Sequence, residues 1–154
     1  MSANIEGIRS PSSETPTSVA QVTLATVFGE AAWLLTQSPR HKHLFLSDLE
    51  WMVMPPFLLQ QFRTFRSGER LVGLALWASV SEEVVKRLEA GSTKLAPTDW
   101  KSGDRLWLVE LVTPFGQQEA MVEDLKVNGL PGWSFKMLTI DAQGKKAVTI
   151  VARE

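Results

Sequence analysis

Apolar positions recur along this chain with two periods, and the places where the period changes mark out its elements. Val22, Thr26, Gly29 and Trp33 fall on one helical face. Ser18 with Gln21 three residues on forms a capping box at its start, and Ser38-Pro39 stops it. Ser47 with Glu50 marks a second, short helix that Pro55-Pro56 ends. Two extended runs follow, 58–66 and 70–79, joined at Ser67-Gly68-Glu69. Phe57, Leu59, Phe62 and Phe65 face Leu71, Leu74, Leu76 and Trp77 in the hairpin they predict. Residues 81–90 return to helix, capped by Ser81, striped by Val84, Val85 and Leu88, and closed by Gly91. A loop through Pro97 leads to Gly103-Asp104. The next run, from Leu106 to Val112, is almost continuously apolar, as a central buried strand is, and Glu110 interrupts it. A helix over 117–127 ends at Asn128-Gly129, and strands over 133–140 and 146–152 turn at Asp141-Ala142-Gln143-Gly144.

The order is α-α-β-β-α-β-α-β-β, which predicts an α/β chain folded as an α+β sandwich, a mixed sheet flanked by helices. It resembles the GCN5-related N-acetyltransferase fold without that fold's first strand and one of its meander strands. The segment entering the helix at 81 is Trp77-Ala78-Ser79-Val80-Ser81-Glu82-Glu83. It has neither the close-set glycines nor the basic residue that hold the pyrophosphate of coenzyme A in such enzymes. If the chain shares the acyl-transfer chemistry of that fold, its donor is expected to be carried on a protein and not held by a pyrophosphate. Residues 1–17 are rich in Ser, Thr and Pro and too poor in apolar surface to offset the entropy of ordering. They read as a flexible tail, and 18–154 as a single domain.

Charge and composition narrow the chemistry. With 16 Lys+Arg against 17 Asp+Glu the net charge is -1, which gives no general attraction to nucleic acid or anionic membrane. No apolar run approaches the ~20 residues of a membrane span, and no secretory signal opens the chain. The expected location is cytoplasmic. The absence of Cys and Tyr removes thiol nucleophiles, thiolate metal sites and phenolic acids. A group titrating near neutrality must then be one of two histidines, His41 and His43.

Each candidate has a bland reading beside the chemical one. His41 lies in Ser38-Pro39-Arg40-His41-Lys42-His43 and is equally at home as a solvated loop histidine. A metal on the two histidines needs a carboxylate to complete it. Glu110 either faces water from a half-exposed strand or is buried and paired, in which case it would orient a nearby imidazole. Ser102-Gly103-Asp104-Arg105 is a turn. Arg40, Lys42, Arg63, Arg66 and Arg70 are a solvated face or a docking site for an acidic partner. The six Trp are core, or several of them line a groove.

Longer motifs carry a resemblance to a family. They are Gly29 with Trp33; Ser38-Pro39-Arg40-His41; Pro55; Trp77-Ala78-Ser79-Val80-Ser81; and Asp99-Trp100-Lys101-Ser102-Gly103-Asp104-Arg105-Leu106-Trp107, continued by Thr113-Pro114-Phe115-Gly116. Over roughly 24–140 the chain resembles the toxin-activating lysine acyltransferases, the haemolysin-activator family that acylates RTX protoxins. That resemblance implies transfer of a fatty acyl chain from acyl-acyl carrier protein to internal lysines of an RTX protoxin, with no permanently bound cofactor and no metal. The family's catalytic histidine falls on His41. Its catalytic aspartate falls on Glu110, which keeps the carboxylate and adds a methylene, so the backbone or the imidazole must sit slightly differently. An asparagine common in the family's second helix is replaced by Met52. Ser38, Trp33, Trp77, Trp107 and Phe115 are the expected substrate-binding residues. Arg40, Lys42, Arg63 and Arg66 are the expected docking site for carrier protein, and a homodimer stays open. The Glu110 and Met52 departures also fit a second reading, a catalytically weak relative that only binds carrier protein or an RTX-type client.

Overall fold

In a computed structural model, residues 16–92, 94–129, 134–140 and 143–152 are described. Helix α1 (Pro16–Gln37) opens on a proline, which the first helical turn tolerates. The capping residues expected at 18 and 21 have side chains outside the described set, as does Trp133. Of the expected tail, 1–15 also lies outside it, while Pro16 and Thr17 already belong to α1.

The next segment differs from the sequence reading. Ser47 is helical (φ -64°, ψ -21°) and caps nothing. The chain starts to turn at Phe45, whose N–H donates to the Asp48 carboxylate at 2.9 Å, and the Trp51 indole N–H donates to the same group at 3.0 Å. Helix α2 (Asp48–Met52) therefore starts where expected, but it is led in by a turn from Phe45 and not by a Ser47 side-chain cap. Pro55 and Pro56 do not end it; they open a further turn, α3 (Met54–Leu58), at the positions where a missing N–H costs nothing. Consequently Phe57 and Leu59 do not reach the hairpin. Gln60 takes a left-handed φ of 59° and its neighbour Gln61 donates back to the Pro56 carbonyl, so strand β1 (Phe62–Ser67) begins four residues late. Phe57 stacks on Phe62 across that turn, with ring centroids 4.3 Å apart.

Strand β2 (Arg70–Val80) pairs antiparallel with β1 through the expected turn at Gly68 (φ 63°). Helix α4 (Glu82–Glu89) is capped by Ser81, whose Oγ accepts from the Val84 N–H at 3.3 Å, and Gly91 (φ 108°) follows its end. Strand β3 (Arg105–Val112), helix α5 (Gln118–Asp124) continued by a wider turn (Leu125–Gly129), and strands β4 (Ser134–Ile140) and β5 (Lys146–Ala152) complete the chain.

The sheet is mixed and five-stranded, in the order β1-β2-β3-β4-β5, with β3 at its centre as its apolar run predicts. Only β3 and β4 run parallel. The sequence reading looked for a phosphate-binding entry before α4, but the strands either side of α4 are antiparallel. The parallel crossover is β3-α5-β4, so the corresponding entry is Thr113-Pro114-Phe115-Gly116-Gln117.

Both faces of the sheet are covered. Leu74, Leu76 and Val112 pack on α1, α2 and α3 through Leu34, Leu35, Met52 and Phe57. Further along that face Ala78, Val80 and Trp107 pack on α4 and Trp100. Ala75, Trp77, Leu108 and Leu111 pack on the opposite face against Met121 and Leu125. The strand reading holds except at one place: Leu108 and Leu111 are three residues apart yet share a face, which strict alternation forbids. The register accounts for it. Leu76 pairs with Glu110 and Trp77 with Leu108, leaving Val109 as a bulge.

The run around Trp100 anchors β3. Ser79 N–H donates to the Trp100 carbonyl (2.9 Å), Ser102 and Gly103 N–H groups donate to the Ser79 carbonyl, and Ser79 Oγ donates to the Gly103 carbonyl (2.6 Å). A Cβ on Gly103 would lie 2.5–2.7 Å from the Val80 carbonyl and the Ser81 backbone, so only glycine permits the approach. The two motifs that read as separate signatures thus form one joint between β2 and the start of β3.

Candidate functional site

Helix α1 gives way at Ser38 to one more turn, in which the N–H groups of His41 and Lys42 both donate to the Ser38 carbonyl (3.0 and 2.8 Å). Residues three apart in such a turn share a side. Ser38 Oγ consequently lies 2.6 Å from His41 Nδ1, and both residues are buried, His41 to 6% exposure. The other nitrogen, Nε2, is 2.7 Å from Glu110 Oε1. The bulge at Val109 makes that contact possible. It turns Glu110 onto the face of the sheet covered by α1 and the turn after it; unbroken alternation would aim it the other way.

Ser38, His41 and Glu110 therefore form a continuous hydrogen-bonded row, built from residues 69 and three apart in sequence. An ionised carboxylate can only accept, so Nε2 carries the hydrogen and Nδ1 accepts from the Ser38 hydroxyl. Neither imidazole nitrogen is left without a partner. Glu110 keeps a quarter of its side chain exposed and is the member of the row that opens to a cleft. The extra methylene of Glu over Asp is absorbed in the 2.7 Å contact.

The cleft lies between β3 and β4. These strands pair only at Trp107 with Lys136 and Leu108 with Met137, and then diverge. The opening has a volume of about 420 Å³, within the range of small-molecule sites. Its walls are apolar at Trp107, Leu108, Val109, Met137 and Leu138, and Arg40, Glu110 and Lys146 are its charged members. Arg40 reaches in from the turn after α1, with its guanidinium 3.5 Å from the Leu111 carbonyl.

Of the aromatic residues assigned to substrate, the structure brings Trp107 alone to this cleft. Trp77 is core on the other face. Trp33 and Phe115, 41% and 47% exposed, sit together elsewhere with ring centroids 6.1 Å apart, and the Arg70 guanidinium lies 5.3 Å from each ring. The basic residues separate similarly. Arg63 pairs with Asp124 of α5, and Arg66 makes a two-pronged pair with Glu30 of α1 at 2.8 Å. These contacts hold the Glu30 and Asp124 carboxyls below their ordinary range. Lys42 and His43 are exposed outside the cleft. Met52 is buried in the core under α1, where an amide would need a partner. Sequence reasoning missed Lys146 and the cleft role of Arg40; the divergence of two parallel strands leaves no local signal.

Residues 20–153 match the family model described as the RTX toxin acyltransferase family. This chain belongs to that family. Among its relatives is the lysine-acyltransferase RtxC of Vibrio cholerae, 29% identical over 85% of this chain and 82% of the relative. The RTX-I toxin-activating lysine-acyltransferase ApxIC of Actinobacillus pleuropneumoniae is 30% identical over 77% of this chain and 69% of its own length. The protein-lysine myristoyltransferase HlyC of Escherichia coli is 27% identical over 75% and 67%. No helix among the described residues is long and apolar enough to cross a membrane.

Proposed function

We propose that the chain is a protein-lysine acyltransferase that moves a fatty acyl group from acyl-acyl carrier protein to the ε-amino group of internal lysines of an RTX protoxin. The observation that carries this reading is the 2.7 Å contact of His41 with Glu110 on the wall of a cleft between diverging strands. The relatives' names, lysine-acyltransferase and protein-lysine myristoyltransferase, support the reaction class.

A lysine ammonium, with a pKa of about 10.4, must lose a proton before it can attack. It meets the Glu110 carboxylate, the exposed end of the row, and its proton passes into the Glu110–His41 pair. The proton rests on Glu110, because His41 Nε2 already carries a hydrogen and Nδ1 is closed off by Ser38. The Ser38 hydroxyl donates to Nδ1 and so keeps the imidazole hydrogen on Nε2, aimed at Glu110. The neutral amine then attacks the thioester carbonyl carbon, the C–N bond forms, and the oxyanion collapses with cleavage of the C–S bond. The thiolate of the carrier's arm leaves with the proton Glu110 has held, and the freed carboxylate takes the surplus proton of the new amide nitrogen and passes it to solvent. General-base help of this kind is worth about 10²–10⁴-fold. With no cysteine in the chain, transfer proceeds directly or through His41.

The apolar stretch of the cleft at Trp107, Leu108, Met137 and Leu138 is the proposed seat of the acyl chain. A donor held on a protein is favoured by the entry to α5, where Thr113-Pro114-Phe115-Gly116-Gln117 has one glycine and no Lys or Arg. The start of α4 offers nothing better: the Ser81 N–H is taken by Ser102 Oγ, and Glu82 and Glu83 follow. For docking of the acidic carrier the exposed turn with Lys42 and His43 serves, since Arg63 and Arg66 are engaged within the fold.

The test is mass spectrometry of an RTX client incubated with fatty acyl carrier protein. A lysine gaining the mass of the acyl chain, and losing that gain with His41→Ala, is expected. No gain with any chain length leaves the binding-only alternative standing.

A further inference from the structure

We infer that Arg40 and Lys146 select the acceptor: the preferred lysine is one with an acidic residue next to it. The inference rests on the acyltransferase reading for its role in catalysis, but the site stands on charge and placement. The last paired residues of the parallel strands are Leu108 and Met137. Three positions further on each strand are Leu111, whose carbonyl lies beside the Arg40 guanidinium, and Ile140, which pairs with Lys146. Arg40 and Lys146 are thus both anchored at the diverging end of the cleft, past the paired stretch. Both line the cleft, and neither has a carboxylate partner among the described residues. Glu110, the one carboxylate there, is bound to His41 and is the immediate chain neighbour of Leu111.

An isolated lysine would meet this mouth with two cations against one carboxylate. Like charges in so small an opening disfavour entry of an ammonium unless the same segment brings a negative charge. A lysine followed or preceded by Asp or Glu supplies it: the amine goes to Glu110 and the neighbouring carboxylate to the guanidinium of Arg40 or the ammonium of Lys146. The placement agrees, since the Arg40 guanidinium lies at the carbonyl of Leu111, the residue that follows Glu110, so a cation sits beside the carboxylate as an acidic neighbour sits beside the incoming lysine. The phosphodiester of a carrier's arm is a poorer match, because the whole arm separates it from the thioester that must reach Glu110.

The experiment uses the full chain and three peptides identical except for the residues flanking one lysine, which are Glu, Ala or Lys. Binding is measured by fluorescence anisotropy without a donor, and transfer by mass spectrometry with acyl carrier protein. The expected result is about tenfold tighter binding of the Glu-flanked peptide than of the Ala-flanked one, with the Lys-flanked peptide weakest. In transfer the difference appears in KM and not in kcat. Arg40→Glu and Lys146→Glu each reverse the order, whereas Lys101→Glu, an exposed change in the loop before β3, leaves it as it was. Equal binding of the three peptides overturns the inference, as does an unchanged preference in both charge-reversed variants. A rise in KM for the carrier protein with no change for the peptides also overturns it. Preferential binding without transfer sinks the acyltransferase reading and leaves the acidic-neighbour selection intact.

Discussion

Shortening Glu110 to aspartate, the residue expected here from the family resemblance, should slow this enzyme. The carboxylate reaches His41 Nε2 at 2.7 Å from the bulged position on β3. Removing one methylene withdraws it by about one C–C bond length, ~1.5 Å, and leaves a gap of roughly 4 Å. That exceeds the ~3.2 Å limit of a hydrogen bond, so the charge-assisted contact is lost. Such a contact is worth about 1.5–3 kcal/mol, and at ~1.36 kcal/mol per tenfold the turnover falls about 10- to 150-fold. The loss belongs to kcat, because neither donor nor client needs the Glu110–His41 contact to bind. Single-turnover transfer from acyl carrier protein to client, followed by mass spectrometry, gives the rate directly. Glu110→Gln separates reach from charge: it keeps the length and can still accept from Nε2, so its deficit measures the charge alone. Glu110→Asp also leaves the Nε2–H of buried His41 unpaired and should lower the melting temperature, so the rates are compared well below the melt, whereas Glu110→Gln, which keeps the contact, should melt close to wild type. A Glu110→Asp variant as fast as wild type, or faster, refutes the reasoning, because it would mean that this contact does not set the rate.

Two further predictions concern the frame that holds the site. Gly103→Ala forces a Cβ to 2.5–2.7 Å from backbone atoms of Val80 and Ser81, and should lower stability by about 1–3 kcal/mol; a urea midpoint equal to wild type would show that the joint can open without cost. Asp124 is held below its ordinary pKa, first of all by its hydrogen bond from Arg63, with burial opposing. A lowered carboxyl contributes stability above its unfolded pKa of about 3.9 and loses it as pH falls through the folded value. Asp124→Asn should therefore cost about 0.5–1 kcal/mol at pH 7 and nothing once the pH is well below 3, as read by urea melts at the two pH values; a deficit that persists in acid would place the effect in packing and not in charge.

The fold was legible where one period ran undisturbed. The apolar run from Leu106 to Val112 marks the central strand, and Ser81 with Gly91 bounds α4 almost to the residue. It was misread where local chemistry admits two outcomes. Pro55-Pro56 can end a helix or begin one, and the choice is made by Val53, whose N–H donates to the Leu49 carbonyl and keeps the chain turning into a new first turn. Phe57 and Leu59 are then drawn into that turn, although their apolar character also suits a strand. Helix entry loops present the same difficulty on a larger scale. The segment before α4 and the one before α5 both lead from strand to helix, and only strand direction, a property of the whole sheet, separates an antiparallel return from a parallel crossover.

The site shows why chemistry-bearing residues are less legible than elements. Ser38 and His41 are neighbours in one turn, so their contact follows from sequence spacing once the turn is granted. Glu110 is not reachable that way. An unbroken strand would put it on the face it shares with Leu108, away from α1, and the residue that corrects this is Val109, an unremarkable valine in an apolar run. Nothing in the sequence marks it as a bulge. A longer side chain and a bulge act on the same quantity, the distance from β3 to the turn after α1, so the two are coupled. A glutamate at this position demands a strand set slightly further from the imidazole than an aspartate does. Replacing Glu110 alone then leaves the strand where it is and opens a gap, so aspartate is expected to be slower here although it keeps the charge.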